Sequence, residues 1–190
     1  MSPRVGLDLQ TITRAAAEIA DETGLASVTL ATLAQRLNVR SPSLYNHVEG
    51  LPGVIEQLTL NGLQQLGQRL EAAGAGLSGE EAVFSLAKAY SAFALAHPGL
   101  YEATQIPQRF KTAEIEQAAA RVVTFVYEVV KQLLSPTADH ATVIHAVRGF
   151  RSLLHGFTSL VNEGGLEMPI SKEDSFAYMI RAYIAGIRQL

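Results

Sequence analysis

Apolar residues recur at helical spacing along nearly the whole chain. Leu9, Ile12, Ala16, Ile19 and Ala20 share one face of a first helix, and Gly24 is placed to end it. Thr29 is the predicted N-cap of a second, short helix with Leu33, Ala34 and Leu37 inside. Asn38-Val39-Arg40 breaks the pattern. Ser41-Pro42 then reads as an N-cap followed by proline at the first helical position, opening a third helix that runs to about Val48 and buries Leu44 and Val48. A longer helix follows with Val54, Leu58, Leu63, Leu66 and Leu70, and the small-residue stretch 72–79 reads as a loop. Ser78 and Glu81 have capping-box spacing ahead of a helix presenting Val83, Leu86, Tyr90, Phe93 and His97. Pro98-Gly99 interrupts that helix.

Residues 112–134 form a predicted helix that is apolar on nearly all sides and is therefore expected at the centre of the molecule. Ser135-Pro136 is expected to open the next helix, to about Glu163, and a last helix is expected from 171–174 to near Gln189. No stretch carries sustained strand alternation. The predicted fold is all-α, with about nine helices. It divides into a three-helix N-terminal domain over residues 1–50 and a helical bundle over residues 51–190.

The second and third helices, braced by the first and joined by a tight turn, have the form of a helix-turn-helix. With Leu44 and Val48 inward, the third helix turns Ser43, Tyr45, Asn46 and His47 outward. Such short donors, acceptors and hydroxyls suit phosphates and base edges in a major groove. Arg40 stands at the turn, and the helix start near Ser41 favours a phosphate.

The segment 29–48, TLATLAQRLNVRSPSLYNHV, resembles the DNA-binding motif of the TetR family of repressors, with a match over roughly the first 60 residues. The resemblance rests on Val28-Thr29, Leu33-Ala34, Val39 and the string Ser43-Leu44-Tyr45 with His47. It implies phosphate contacts from Thr29, Thr32, Tyr45 and His47, and contacts to bases or sugars from Arg40, Pro42, Ser43 and Asn46. Two positions depart from the family pattern. Leu51 stands where many members carry lysine, and Ala31 where many carry a basic residue. A second resemblance joins FRSLLHGFTSLVNEGGL (150–166) and the run His97-Pro98-Gly99-Leu100-Tyr101 to the C-terminal domain of one TetR branch, named for a Trp-His-Gly signature. His155-Gly156 is kept, while the tryptophan position appears as Phe150 or a neighbour. It implies a dimerising domain that often holds an inducer.

The predicted eighth helix carries a seam of Val143, Val147, Phe150, Leu154, Phe157 and Val161 beside a line of small residues, Gly149, Ser152, Gly156 and Ser159. With Ala182, Tyr183 and Gly186 of the last helix, these are the expected homodimer interface, a four-helix contact between two copies. A partly apolar small-molecule inducer is expected among Tyr90, Phe93, His97, Tyr101, Phe125, Arg151 and His155. The expected partners are therefore a double-stranded operator, a second copy and that inducer.

Composition narrows the alternatives. At 48% hydrophobic residues the 190-residue chain can bury a core. It has no cysteine, so disulfides and thiolate metal sites are excluded. Neither an N-terminal leader pattern nor a membrane-length apolar run is seen, and the sequence reads as a cytoplasmic protein with no membrane partner. Nucleotide-binding, serine-hydrolase and zinc-protease motifs are all lacking, and His140 and His145 lie five apart, off one helical face. No cofactor, metal or enzymatic activity is expected. The net charge of −3, and four arginines against five acids in residues 1–50, argue against strong phosphate neutralisation. They keep open an alternative: an all-helical carrier or enzyme whose helix-turn-helix is vestigial.

Overall fold

A computed structural model describes residues 7–189. Its elements are α1 (Leu9–Thr23), a 3₁₀ turn (Leu25–Ser27), α2 (Leu30–Leu37), α3 (Ser41–Leu44), α4 (Gly50–Gly74), α5 (Gly79–Ala96), α6 (Pro98–Ala103), a second 3₁₀ turn (Pro107–Arg109), α7 (Ala113–Lys131), α8 (His140–Asn162) and α9 (Lys172–Ile187). Among the described residues there are thus nine α-helices and no strand, as the apolar spacing predicts.

The chain forms two compact units. One comprises the chain up to Gln64 together with His97–Ala118; the other comprises Gln65–Ala96 and the chain from Ala119 onward. This differs from a division at residue 50, because α6 returns to α1. Gly99 lies so close that a Cβ there would stand 2.1 Å from the Ala20 carbonyl. Asp21 of α1 accepts from the Leu100 backbone N–H and from His97 Nδ1, each at 2.9 Å. It therefore supplies a capping acceptor at the start of α6, where His97, in the N-cap position, makes no cap bond of its own.

Local chemistry explains most boundaries in the first unit. The Asp8 carboxylate accepts from the Thr11 N–H at 2.7 Å to start α1, and that bond holds its pKa below the usual value. Gly24 ends the helix at φ +89°, donating to the Ala20 carbonyl. Ile12, Ala15, Ala16, Ile19 and Ala20 are buried, whereas Leu9, expected inside, is exposed in the first turn. At α3 the cap is shifted by one residue: Arg40 takes the N-cap position, and Ser41 and Pro42 are the first helical residues.

In the second unit, Gly67 and Gly74 of α4 let α7 come close, meeting Val122 and the tip of the Phe125 ring. Arg121 reaches from α7 to Glu71 with two bonds, at 2.5 and 2.6 Å. The expected central position of α7 is not found. Val129 and Val130 are buried, but Val123 is 55% exposed and Val122, Phe125 and Val126 are only half-buried. Its valines make the sequence look apolar all round, while the packing uses only one side and the C-terminal end. Helix α8 begins later than Ser135-Pro136 suggests, because Asp139 is the residue whose carboxylate caps it, accepting from the Thr142 N–H at 2.8 Å. Ser135 instead bonds within a preceding turn. Helices α8 and α9 pack through Phe150 on Tyr183 (ring centroids 5.4 Å) and Phe157 on Phe176 (5.0 Å).

Candidate nucleic-acid interface

The second helix is fixed by a reciprocal cap. The Thr32 N–H donates to Thr29 Oγ1 at 3.0 Å, and the Thr29 N–H donates to Thr32 Oγ1 at 2.9 Å. Both threonines are half-buried, and their hydroxyls are engaged in ordering the helix start that they were expected to offer to phosphate. Leu33 and Ala34 seat the helix inward. On its outer side Arg36 bridges to Glu22 (2.5 Å) and Glu18 (3.4 Å) of α1, which holds the Glu22 carboxyl below its usual range. This ion pair carries no sequence signal of its own, and it commits the one arginine of α2 to α1.

The turn is made by Asn38, which adopts the left-handed conformation (φ 52°, ψ 46°), one that asparagine tolerates better than most side chains. Its N–H and that of Val39 satisfy the last carbonyls of α2. The chain then enters α3, which is shorter than the pattern predicts. Regular helix covers only Ser41–Leu44, yet the Val48 N–H still donates to the Leu44 carbonyl at 3.0 Å, so the winding persists for a further turn.

Leu44 is fully buried and Val48 nearly so. Between them Tyr45 (61% exposed), Asn46 and His47 are outside, with Arg40 and Pro42 exposed at the entry. Ser41 and Ser43 are half-buried. The residues expected to read DNA therefore share one region of the surface, with Tyr45, Asn46 and His47 the most prominent. Leu51 and Ala31, at the positions where basic residues were looked for, are half-buried and exposed respectively.

The residues expected to hold a ligand fall in both units. His97 and Tyr101 belong to the first unit, where the His97 ring is tied to Asp21. In the second unit Tyr90 and Phe93 are buried, Phe125 lies against Gly74, and Arg151 and His155 are exposed on α8. Sequence reasoning passed over Arg69 of α4, whose guanidinium stands 4.8 Å from the centroid of the buried Phe93 ring. A cation between Leu66 and Leu70 was the available signal. Two open grooves of about 670 and 300 Å³ run along α5, sharing Phe84 and Lys88, and neither is lined by the expected ligand residues.

Of the expected dimer positions, Ser152, Ala182 and Gly186 are exposed, and Gly149, Gly156 and Ser159 are half-buried. A Cβ at Gly156 or Gly186 would meet nothing within 4 Å. Gly149, by contrast, is covered by Tyr183 of its own chain, whose hydroxyl donates to the Ala146 carbonyl at 2.6 Å. Burial raises the pKa of that hydroxyl.

A helix-turn-helix with an outward polar segment, followed by further helices and, among the described residues, no strand, is the architecture of an all-helical DNA-binding regulator. The comparisons agree. A family model described as "Tetracyclin repressor-like, C-terminal domain" matches residues 83–183. The chain is 40% identical over 187 residues to YobS, an uncharacterised HTH-type transcriptional regulator of Bacillus subtilis, covering 98% of this chain and 96% of that one. A Rhodococcus protein of unknown function superposes with a TM-score of 0.82 at 18% identity, over 99% of this chain and 100% of that one. A TetR variant from Acinetobacter baumannii, solved in complex with minocycline, superposes with a TM-score of 0.67 at 19% identity, over 97% and 98%. The chain belongs to the TetR family of transcriptional regulators. No helix among the described residues is long and apolar enough to cross a membrane.

Proposed function

We propose that the protein is a homodimeric repressor of a palindromic operator, released by a small-molecule inducer. The observation that carries this reading is the segment 40–47: Leu44 is anchored at 0% exposure while Tyr45, Asn46 and His47 stand out from the surface. Tyr45 and His47 bond to phosphates, and Arg40, Pro42, Ser43 and Asn46 meet bases or sugars. The exposed small residues of α8 and α9 support a two-fold contact in which backbones approach closely. Two recognition segments are then held about one DNA turn apart, roughly 34–36 Å. The minocycline-bound neighbour supports the sensing role, since a ligand that prefers one domain arrangement shifts the dimer away from the DNA-binding state.

A gel shift on DNA from upstream of the protein's own gene tests this. The native chain is expected to retard that fragment and not an unrelated one, and Tyr45→Ala and His47→Ala are expected to lose the shift while keeping native helicity. No specific retardation, or equal retardation by both variants, overturns the assignment of these residues.

A further inference from the structure

The two grooves along α5 meet at Phe84 and Lys88. They lie on the side of α5 turned away from Tyr90 and Phe93, where Phe84, Lys88, Ser91 and Leu95 form one stripe of the helix. The facing wall is α9, which runs antiparallel: Arg188 just past its end pairs with Glu80, while Glu173 at its start shares a groove with Leu95. Every residue of both grooves belongs to the second unit. The narrower groove, about 300 Å³, is bordered by Phe157 of α8 and Phe176 of α9, whose ring centroids stand 5.0 Å apart. Ser91 also borders it, at 8% exposure, and the Ser91 hydroxyl has no hydrogen-bond partner among the described residues. A hydroxyl so enclosed is costly unless the contents of the groove complete it. The wider groove, about 670 Å³, adds Arg181 from the α9 wall. Lys88 stands 5.1 Å from the centroid of the Phe84 ring, and neither Lys88 nor Arg181 forms an ion pair among the described residues. The acids on the same two helices, Glu80 and Glu81 before Lys88 and Glu173 and Asp174 before Arg181, are about two turns away or more.

We propose that the junction of these grooves binds a single-chain amphiphile with an anionic head. Lys88 and Arg181 receive the head, the Ser91 hydroxyl donates to it, and the apolar chain runs between Phe157 and Phe176 toward Leu95. This rests on the small-molecule reading above and gives it a place and a chemical class. Charge selects the end at which the head sits. Lys88 and Arg181 meet no acid at the junction, whereas at the far end Lys172 and Glu173 carry opposite charges. Dimensions select the chain. From Lys88 to Leu95 the stripe covers about 10 Å, the reach of a medium-length alkyl chain, and a groove at the small end of the range for ligand sites admits one chain and not two. Both cations keep their stems along the groove wall and their charges near water, so an anionic head enters without full desolvation.

The probes are decanoate and decyl sulfate, with decanol as the neutral counterpart, and binding is followed by calorimetry on the full chain without DNA. At least one anion is expected to bind with a Kd below about 1 mM, and decanol to bind about tenfold more weakly. Lys88→Gln and Arg181→Gln, both at exposed positions, are each expected to weaken the anion by about threefold to tenfold and to leave decanol within about twofold. Ala92→Trp, also exposed, fills the narrower groove and is expected to weaken both the anion and decanol by about tenfold or more while native helicity is kept. Binding of neither anion, equal binding of anion and alcohol, or anion binding unchanged in all three variants overturns the proposal. If no probe binds and Ala92→Trp instead dissociates the dimer, the groove holds a second copy and the proposal is overturned. Anion binding that depends on Lys88, Arg181 and Ala92 but leaves operator affinity unchanged supports this inference and contradicts only the inducer reading.

Discussion

Replacing Gly99 with alanine tests whether α6 is built into the DNA-reading unit. The added methyl would stand 2.1 Å from the Ala20 carbonyl carbon and oxygen and 2.6 Å from the Ala20 Cβ. Carbon atoms in comfortable contact are about 3.5–4.0 Å apart, so α6 must retreat from α1 by about 1.5 Å. Backbone cannot yield as a side-chain tip would. The retreat also stretches the bonds from Leu100 N–H and His97 Nδ1 to Asp21, both 2.9 Å, beyond useful hydrogen-bonding distance. Overpacking alone costs about 1–3 kcal/mol. Loss of hydrogen bonds to a charged, partly exposed group adds about 1–2 kcal/mol. The expected total is about 2–5 kcal/mol, measured by urea unfolding followed by circular dichroism. Gly53→Ala is the control, since its new Cβ meets Glu49 Cβ at an acceptable 3.4 Å inside α4. It should be neutral or stabilising by up to about 1 kcal/mol. If Gly99→Ala unfolds within about 1 kcal/mol of the native protein, the close α1–α6 contact is wrong.

Two further outcomes follow from charge. The Asp139 carboxyl is held below its ordinary pKa, chiefly by the Thr142 backbone N–H, so its contribution to stability is present above the unfolded value and lost as pH falls through the folded one. Thermal melts should therefore show native α8 weakening on acidification below about pH 4, and the native protein and Asp139→Asn should converge there; a constant gap down to pH 2 contradicts the cap. Operator affinity should depend weakly on salt, because Arg36 is engaged by Glu18 and Glu22, and residues 1–50 contain no lysine and fewer arginines than acids. Fewer than about four phosphates are neutralised per subunit, so a slope of log K against log salt steeper than about −7 for the dimer refutes it.

The first 50 residues were the most legible part of the chain. Each helix there is short, has one apolar stripe and is bounded by its own cap: Asp8, Gly24, the Thr29–Thr32 pair and Asn38 all act locally, within a few residues of their partners. The outward face of α3 followed directly from the placement of Leu44 and Val48. The return of α6 to α1 was not legible. His97 meets Asp21 across 76 residues, and neither a lone aspartate nor a lone histidine carries periodicity that could announce the pairing. The misplacement of α7 has a different origin. Valine at successive positions hides which side of a helix is polar, and only the small residues Gly67 and Gly74 of the neighbouring helix show where it packs. The ligand residues were chosen for being aromatic or cationic, a criterion that cannot separate Phe93 in the interior from Arg151 on the surface.

The most direct test of the account is a hydroxyl-radical footprint of the purified protein on DNA upstream of its own gene. The account predicts two protected patches related by a two-fold axis, centred about one helical turn apart, both lost in Tyr45→Ala. A single patch, uniform protection, or an unchanged footprint in that variant would contradict it.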